Sequence, residues 1–208
     1  MRGRNEKSIR GFRRCPKVVS VDDMDDKFGL SRVDEGFAIL TERLQLRTPR
    51  LDDAPAIQSI AADQRVALTT ASIPHPYPDG GAASFITRVR NEASREKRNL
   101  AITVRNGGDL VGMIGYEIKA CEAELAYMVS PTHWRYGYAT EACKSVIEHI
   151  FAATEATAVV ARAMAHNKAS EAVLRKVGLE RQCEALVELP IRSGAFLTSF
   201  WRLGRPTV

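Results

Sequence analysis

The sequence predicts an α+β (mixed α/β) domain, a central and mostly antiparallel twisted sheet flanked by helices. Three observations carry that expectation. Period-two alternation recurs in short runs such as residues 100–105 and 122–129. Helical periodicity recurs at 137–153, where Ala142, Val146, Ile147 and Ile150 share one face. Between two strand-like runs, Asn106-Gly107-Gly108-Asp109 has the composition of a hairpin turn.

Taken in order, residues 37–47 read as a strand closed by Thr48-Pro49. Leu51-Asp52-Asp53-Ala54-Pro55 is a helix start with an acidic first turn and an early proline, and the helix runs to about Ala62. Pro74, Pro76 and Pro78 hold an extended loop, because each proline drives its predecessor out of the helical region. A second helix covers 81–95. Strands at 100–105 and 110–118 pair through the turn, and a third lies at 122–129. The helix at 137–153 precedes a short apolar strand at 158–165. Another helix at 168–177 is stopped by Gly178, just past its end. Residues 186–189 and 195–203 form the last hairpin. The order is β-α-α-β-β-β-α-β-α-β-β, with the sheet and helices in layers.

A length of 208 residues suits one well-buried domain. Hydrophobic residues at 45% and charged residues at 26% fit a globular chain rather than a disordered one. No run reaches the roughly 18–20 clean apolar residues of a membrane span, so no membrane partner is expected. The net charge of +5 invites a nucleic-acid reading, but residues 1–23 hold seven basic and three acidic groups, or +4. That leaves about +1 for the rest, so no nucleic-acid partner is expected. Residues 1–36 read as a basic, disordered tail, with Met24 as an alternative initiator, and 37–205 as a single domain. Cys15, Cys121, Cys143 and Cys183 have no metal-binding or disulfide spacing, so they are expected to be reduced, in a cytoplasmic protein without a metal.

The most informative run starts with the strand at 122–129, continues through Ser130-Pro131-Thr132-His133, and ends in Trp134-Arg135-Tyr136-Gly137-Tyr138-Ala139-Thr140-Glu141-Ala142. It is a strand, a short loop and a helix that begins with small residues. A helix N-terminus presents unpaired N–H groups and a partial positive charge, which suit a pyrophosphate. Gly137 and Ala139 let such an anion approach the backbone. An ordinary strand-to-helix turn with a packing glycine has the same spacing.

The run resembles the acetyl-CoA loop of the GNAT superfamily, Q/R-x-x-G-x-G/A. It is more similar still to the RimJ/RimL branch, which reads W-G-K-G-Y-A-T-E-A. Gly137 and the block from Tyr138 to Ala142 match, whereas Arg135 replaces a glycine and Tyr136 a lysine. Thr41-Glu42-Arg43-Leu44-Gln45-Leu46-Arg47 and Leu51-Asp52-Asp53-Ala54 resemble the family's opening strand and helix. Asn167-Lys168-Ala169-Ser170 and Leu174-Arg175-Lys176-Val177-Gly178-Leu179 resemble its N-x-x-S and K-x-G-F blocks, with Leu179 in place of phenylalanine. The likeness spans about residues 37–205.

The resemblance implies a GNAT fold and direct transfer of an acetyl group from acetyl-CoA, a cosubstrate, to a primary amine. The RimJ/RimL likeness implies a protein N-terminus as acceptor. An amino acid, polyamine or aminoglycoside is the small-molecule alternative, and a non-catalytic acyl-CoA-binding module is the alternative outside enzymes. Monomer and homodimer stay open. Implied contacts to the cosubstrate are Met128 and Val129 on the strand edge, Trp134, Arg135, Tyr136, Gly137, Tyr138, Ala139 and Thr140 in the loop, and Asn167 and Ser170.

Transfer requires a deprotonated amine, a stabilised thioester oxygen and a hydrogen bond or proton for the leaving sulfur. The resemblance implies a backbone N–H of Met128 or Val129 for the oxygen. Leu174 stands where many members carry a proton-donating tyrosine, and Ser170 matches the serine that RimL-like members carry. Asn167 has a second reading as a helix cap. Glu124, on the strand, and Glu188 are the catalytic carboxylate candidates. His75 in the proline loop and a relay of waters are further options for the base.

Overall fold

The computed structural model describes residues 36–189 and 191–206; the expected tail, apart from Gly36, and Cys15 lie outside the described residues. The chain enters with β1 (Ala38–Leu40) and β2 (Leu44–Arg47), which pair antiparallel from Ala38↔Arg47 to Leu40↔Gln45. The single strand expected at 37–47 is therefore a hairpin. Its polar turn is closed locally, the Leu44 N–H donating to Thr41 Oγ1 at 2.9 Å and the Thr41 N–H to the Leu44 carbonyl at 2.9 Å.

A 3-10 turn (Leu51–Asp53) leads into α1 (Ala54–Ala62), which ends at the expected residue. Asp53 fixes the entry. Both its oxygens accept from the Arg47 guanidinium, at 2.7 and 2.8 Å, and one also accepts from the Arg50 N–H at 2.7 Å. A short helix, α2 (Gln64–Ala67), follows, and α3 covers Gly81–Asn91, one turn shorter than expected.

β3 (Lys97–Val104), β4 (Leu110–Lys119) and β5 (Glu122–Val129) form an antiparallel meander. A 3-10 turn (Pro131–His133) precedes α4 (Tyr138–Ala153), then come β6 (Ala158–Met164) and α5 (Lys168–Lys176). Gly178, in the left-handed region at φ 90°, lies just past α5. The closing hairpin is β7 (Glu180–Leu189) and β8 (Arg192–Gly204), longer in both arms than alternation indicated.

The eight strands form one sheet in the order β1-β2-β3-β4-β5-β6-β8-β7. Every neighbouring pair is antiparallel except β5 and β6. The α4–α5 face carries the larger core, where Leu44, Leu46, Leu125, Val159 and Trp201 pack with Val146, Ile150 and Leu174. Each such aliphatic side chain contributes about 1.5–3 kcal/mol when fully buried. On the opposite face, Ile57 of α1 and Ala82 and Ile86 of α3 pack on Ala101, Met113 and Met128. Cys143 is buried, Cys121 exposed and Cys183 half-buried. Among the described residues, no helix is long and apolar enough to cross a membrane.

Candidate active site

β5 and β6 share rungs from Glu122↔Ala158 to Leu125↔Ala161. β5 then continues to Val129 and β6 to Met164 without pairing further with each other, so a cleft opens between the two strands at that end of the sheet. The Ser130 N–H donates to the Val111 carbonyl of β4 at 2.8 Å. Alternation along the strand then turns the N–H of Met128 toward β4, and those of Tyr127 and Val129 toward the cleft. Of the two expected oxygen-binding donors, Val129 faces the opening and Met128 belongs to the β4 ladder, opposite Met113. β4 lies close here because Gly112 has no side chain: a Cβ at that position would collide with the Met128 carbonyl.

The cleft has two unlike faces. On the α4–α5 side, Tyr127 points inward with Ala123, Leu125 and Val129. Its hydroxyl lies 2.9 Å from Ser170 Oγ and 3.3 Å from the Ser170 carbonyl. Burial first, then the neighbouring Cys143 thiol, push the Tyr127 phenol far above its ordinary ionisation range, against the opposing effect of the Ser170 bond. Asn167 caps α5, its Oδ1 accepting from the Ser170 N–H at 3.1 Å. The capping reading of Asn167 thus describes its carbonyl oxygen, while its amide NH2 takes no part in the cap. Leu174 is fully buried in the core.

On the other face lies Glu124, cross-strand from Val160. Arg162 Nε donates to its Oε1 at 2.6 Å, an ion pair spanning β5 and β6 beside the last shared rung. Glu122 is held in the same way by Arg202 of β8 at 2.9 Å. Glu188 does not join this group. It pairs with Ala195 on the outer hairpin, exposed and on the α5 side of the sheet, so the two candidate carboxylates lie on opposite faces. His75 is exposed in the loop before α3.

The loop that opens α4 is braced from a distance. Gly137 caps the helix at φ 83°, and no side chain bonds its first turn. The N–H groups of Tyr138, Ala139 and Thr140 precede the first helical bond, which runs from the Glu141 N–H to the Gly137 carbonyl. Arg135 adopts φ 69°, a left-handed backbone that glycine takes more readily than arginine. Trp134 Nε1 donates to the Val129 carbonyl at 2.8 Å and ties the loop to the end of β5. Tyr136 stacks on Tyr138, with ring centres 5.7 Å apart.

Beneath the loop, the Glu141 carboxylate accepts from Thr41 Oγ1 at 2.6 Å, from the Arg43 N–H at 2.9 Å and from Arg43 Nε at 2.7 Å. Arg43 Nη1 then donates to the Tyr136 carbonyl at 2.9 Å. Burial pushes the Glu141 carboxyl up, but the Thr41 hydroxyl and the Arg43 backbone and guanidinium outweigh it and hold it below the ordinary range. A Cβ on Gly137 would sit 3.3 Å from Arg43 Nη2, inside this bracket. An uncapped helix start beside a glycine-lined backbone, with Arg43 and Arg135 close by, fits a pyrophosphate.

The family model for the acetyltransferase (GNAT) domain matches residues 43–180. The chain belongs to the GNAT acetyltransferase family. As a GNAT enzyme it is 32% identical over 93 residues to YoaA of Bacillus subtilis (strain 168), described as an uncharacterised N-acetyltransferase. That match covers 42% of this chain, and the chain spans about half (52%) of that relative's length. It is 26% identical to the uncharacterised N-acetyltransferase p20 of Bacillus licheniformis over 149 residues, 69% of this chain and 83% of the relative.

Solved structures share the fold. An acetyltransferase (GNAT family) from Bacillus anthracis superposes with a TM-score of 0.73 at 19% identity, over 81% of this chain and 99% of that one. A ribosomal-protein-S5-alanine acetyltransferase from Vibrio fischeri gives 0.68 at 17% identity, over 81% and 97%. A spermidine N-acetyltransferase from Vibrio cholerae, in complex with CoA and spermine, gives 0.68 at 14% identity, over 79% and 97%.

The braced loop was half legible from sequence. Arg43 and Glu141 both stand in blocks that resemble the family, but nothing in either block shows that they meet. Tyr127 was missed. Alternation alone places it with Ala123 and Leu125 on the inward face. A hydroxyl on that otherwise apolar stripe was the available signal.

Proposed function

We propose that this GNAT enzyme acetylates a primary amine with acetyl-CoA, and that a protein N-terminus is the acceptor. The observation that carries the reading is the cleft between β5 and β6, with an uncapped helix start at its mouth and unlike chemistry on its two faces. In this reading the N–H groups of residues 138–140, with Arg135, hold the pyrophosphate. The Asn167 amide and the free edge of β5 hold the pantetheine arm, as an added strand would be held. Trp134, Tyr136 and Tyr138 wall the loop.

The amine nitrogen bonds to the thioester carbon from the Glu124 face, and the carbon–sulfur bond breaks with its electron pair leaving on sulfur. The Val129 N–H donates to the carbonyl oxygen as it gains charge. Glu124 takes the proton that the amine loses and passes it to solvent, while Ser170 hydrogen-bonds the sulfur, which leaves as the thiolate and takes a proton from solvent to end as the CoA thiol. Glu188, on the opposite face and three strands away in the sheet order, has no part in this reading.

The charge pattern of the acceptor face supports a singly charged amine. Glu122 and Glu124 are each paired with an arginine, whereas a polyamine calls for several carboxylates without such partners.

The test is calorimetric titration with acetyl-CoA beside a Gly137→Glu variant, followed by initial rates with free-N-terminus peptides and with spermidine. Saturable binding that the variant abolishes, with turnover of peptides above spermidine, is the expected result. Binding that survives Gly137→Glu removes the loop from the reading. Turnover of spermidine alone replaces the acceptor.

A further inference from the structure

We infer that Tyr127 is a positioning residue for acyl transfer: by donating its hydroxyl proton to Ser170 Oγ, it turns the serine's own proton toward the departing sulfur. The inference rests on the reading that Ser170 hydrogen-bonds that sulfur.

A serine hydroxyl has one proton and can serve one acceptor at a time. The Tyr127 hydroxyl and Ser170 Oγ are 2.9 Å apart, and the geometry allows either to donate. If Ser170 donates, the phenol turns its proton to the Ser170 carbonyl, 3.3 Å away, and the serine has nothing left to offer the cleft. If Tyr127 donates, the serine proton is released. Negative charge growing on a sulfur in the cleft selects this second arrangement, because it brings the positive end of the hydroxyl dipole toward the charge.

Two features make Tyr127 suited to this part. Burial among the residues beneath α4 and α5 keeps the phenol neutral, hence always a donor. The Asn167 cap holds the Ser170 backbone, so Oγ is presented from a fixed point. Without the phenol, Ser170 is free to bond back to the Asn167 carbonyl three residues earlier, a local alternative open to a serine in the first turn of a helix. Leu174, apolar and fully buried, offers no substitute donor.

The test uses CoA itself, so it does not depend on knowing the acceptor. CoA is bound to the wild-type protein, to Tyr127→Phe, to Ser170→Ala and to the double variant. The ionisation of the bound thiol is followed by its thiolate ultraviolet absorbance across pH, with binding checked by calorimetry. In the wild type the thiol should ionise at lower pH than in free CoA. Tyr127→Phe should raise the midpoint by about one unit, the size expected for losing one hydrogen bond to the charged form. Ser170→Ala should raise it at least as far, and the double variant no further than Ser170→Ala.

An unmoved midpoint in Tyr127→Phe beside a raised one in Ser170→Ala overturns the inference and leaves the serine reading standing. A midpoint unmoved by Ser170→Ala overturns both. Additive shifts in the double variant show that Tyr127 does not act through Ser170, and so also overturn the inference. Failure of the wild type to bind CoA removes the proposed function itself.

Discussion

Two helices begin beside the same cleft, and their N-termini are built in opposite ways. α5 closes its first turn with its own residue, Asn167, whose Oδ1 takes the Ser170 N–H. α4 begins on a left-handed glycine and leaves its first turn without a side-chain cap. A glycine at the N-cap costs only about a few tenths of a kcal/mol relative to a good side-chain cap. The tertiary bracket of Thr41, Arg43 and Glu141 supplies the order that a cap would have supplied locally. The contrast separates two tasks. A capped helix can hold a side chain still, whereas an open one keeps its N–H groups for an outside anion.

The hardest way to break the contrast is to remove the bracket. Glu141→Ala strips three charge-assisted bonds from a largely buried carboxylate, and we expect a loss of about 2 kcal/mol in chemical denaturation, since Arg43 is partly exposed. Acetyl-CoA affinity should fall with it, while the α5 cap stays intact. Affinity unchanged in that variant would mean that the loop keeps its shape unaided.

The same bracket makes a pH prediction. The Glu141 carboxyl is depressed in the folded state, so its contribution is complete above the unfolded glutamate range, about pH 4.3, and is lost as pH falls through the lower folded value. Glu141→Gln should therefore flatten part of the acid limb of stability. An acid limb identical to that of the wild type would count against the ion pair.

Smaller effects sharpen the other side. Asn167→Ala should cost about 1 kcal/mol of stability as a lost cap and should lower both donor affinity and turnover. Arg135→Gly should act in the opposite direction, raising stability by about 1 kcal/mol by relieving the left-handed conformation at φ 69° while weakening donor binding through the lost cation. If thermal melting shows no gain, the loop stores no strain at that residue.

Much of this architecture could be read from the chain because the signals are local. Glu122–Val129 and the end of α1 fall where expected, since alternation and helix-end chemistry are properties of neighbouring residues. The opening hairpin was hidden because Thr41-Glu42-Arg43 lacks glycine, proline or asparagine and the strand-like pattern runs on through it. Its turn is held partly by Glu141, a hundred residues away. The site divided in the same way. Its loop residues stand in one run, but the separation of Glu124 from Glu188 depends on strand order and face. The pairing of Tyr127 with Ser170 joins a strand to a helix 43 residues on.

The bracket also bears on where this domain can be cut. The family signature starts at residue 43 and stops at 180. A fragment trimmed to those limits keeps the cleft strands and the whole anion loop, yet discards Thr41, which grips Glu141 from below. It also discards β8, which pairs with β6 along seven rungs and brings Trp201 into the core. The stretch by which the family is recognised is thus shorter than the stretch that builds the sheet. Circular permutants or fusions of this enzyme should place their new ends in the exposed loop around His75, leaving the opening hairpin covalently joined to α1.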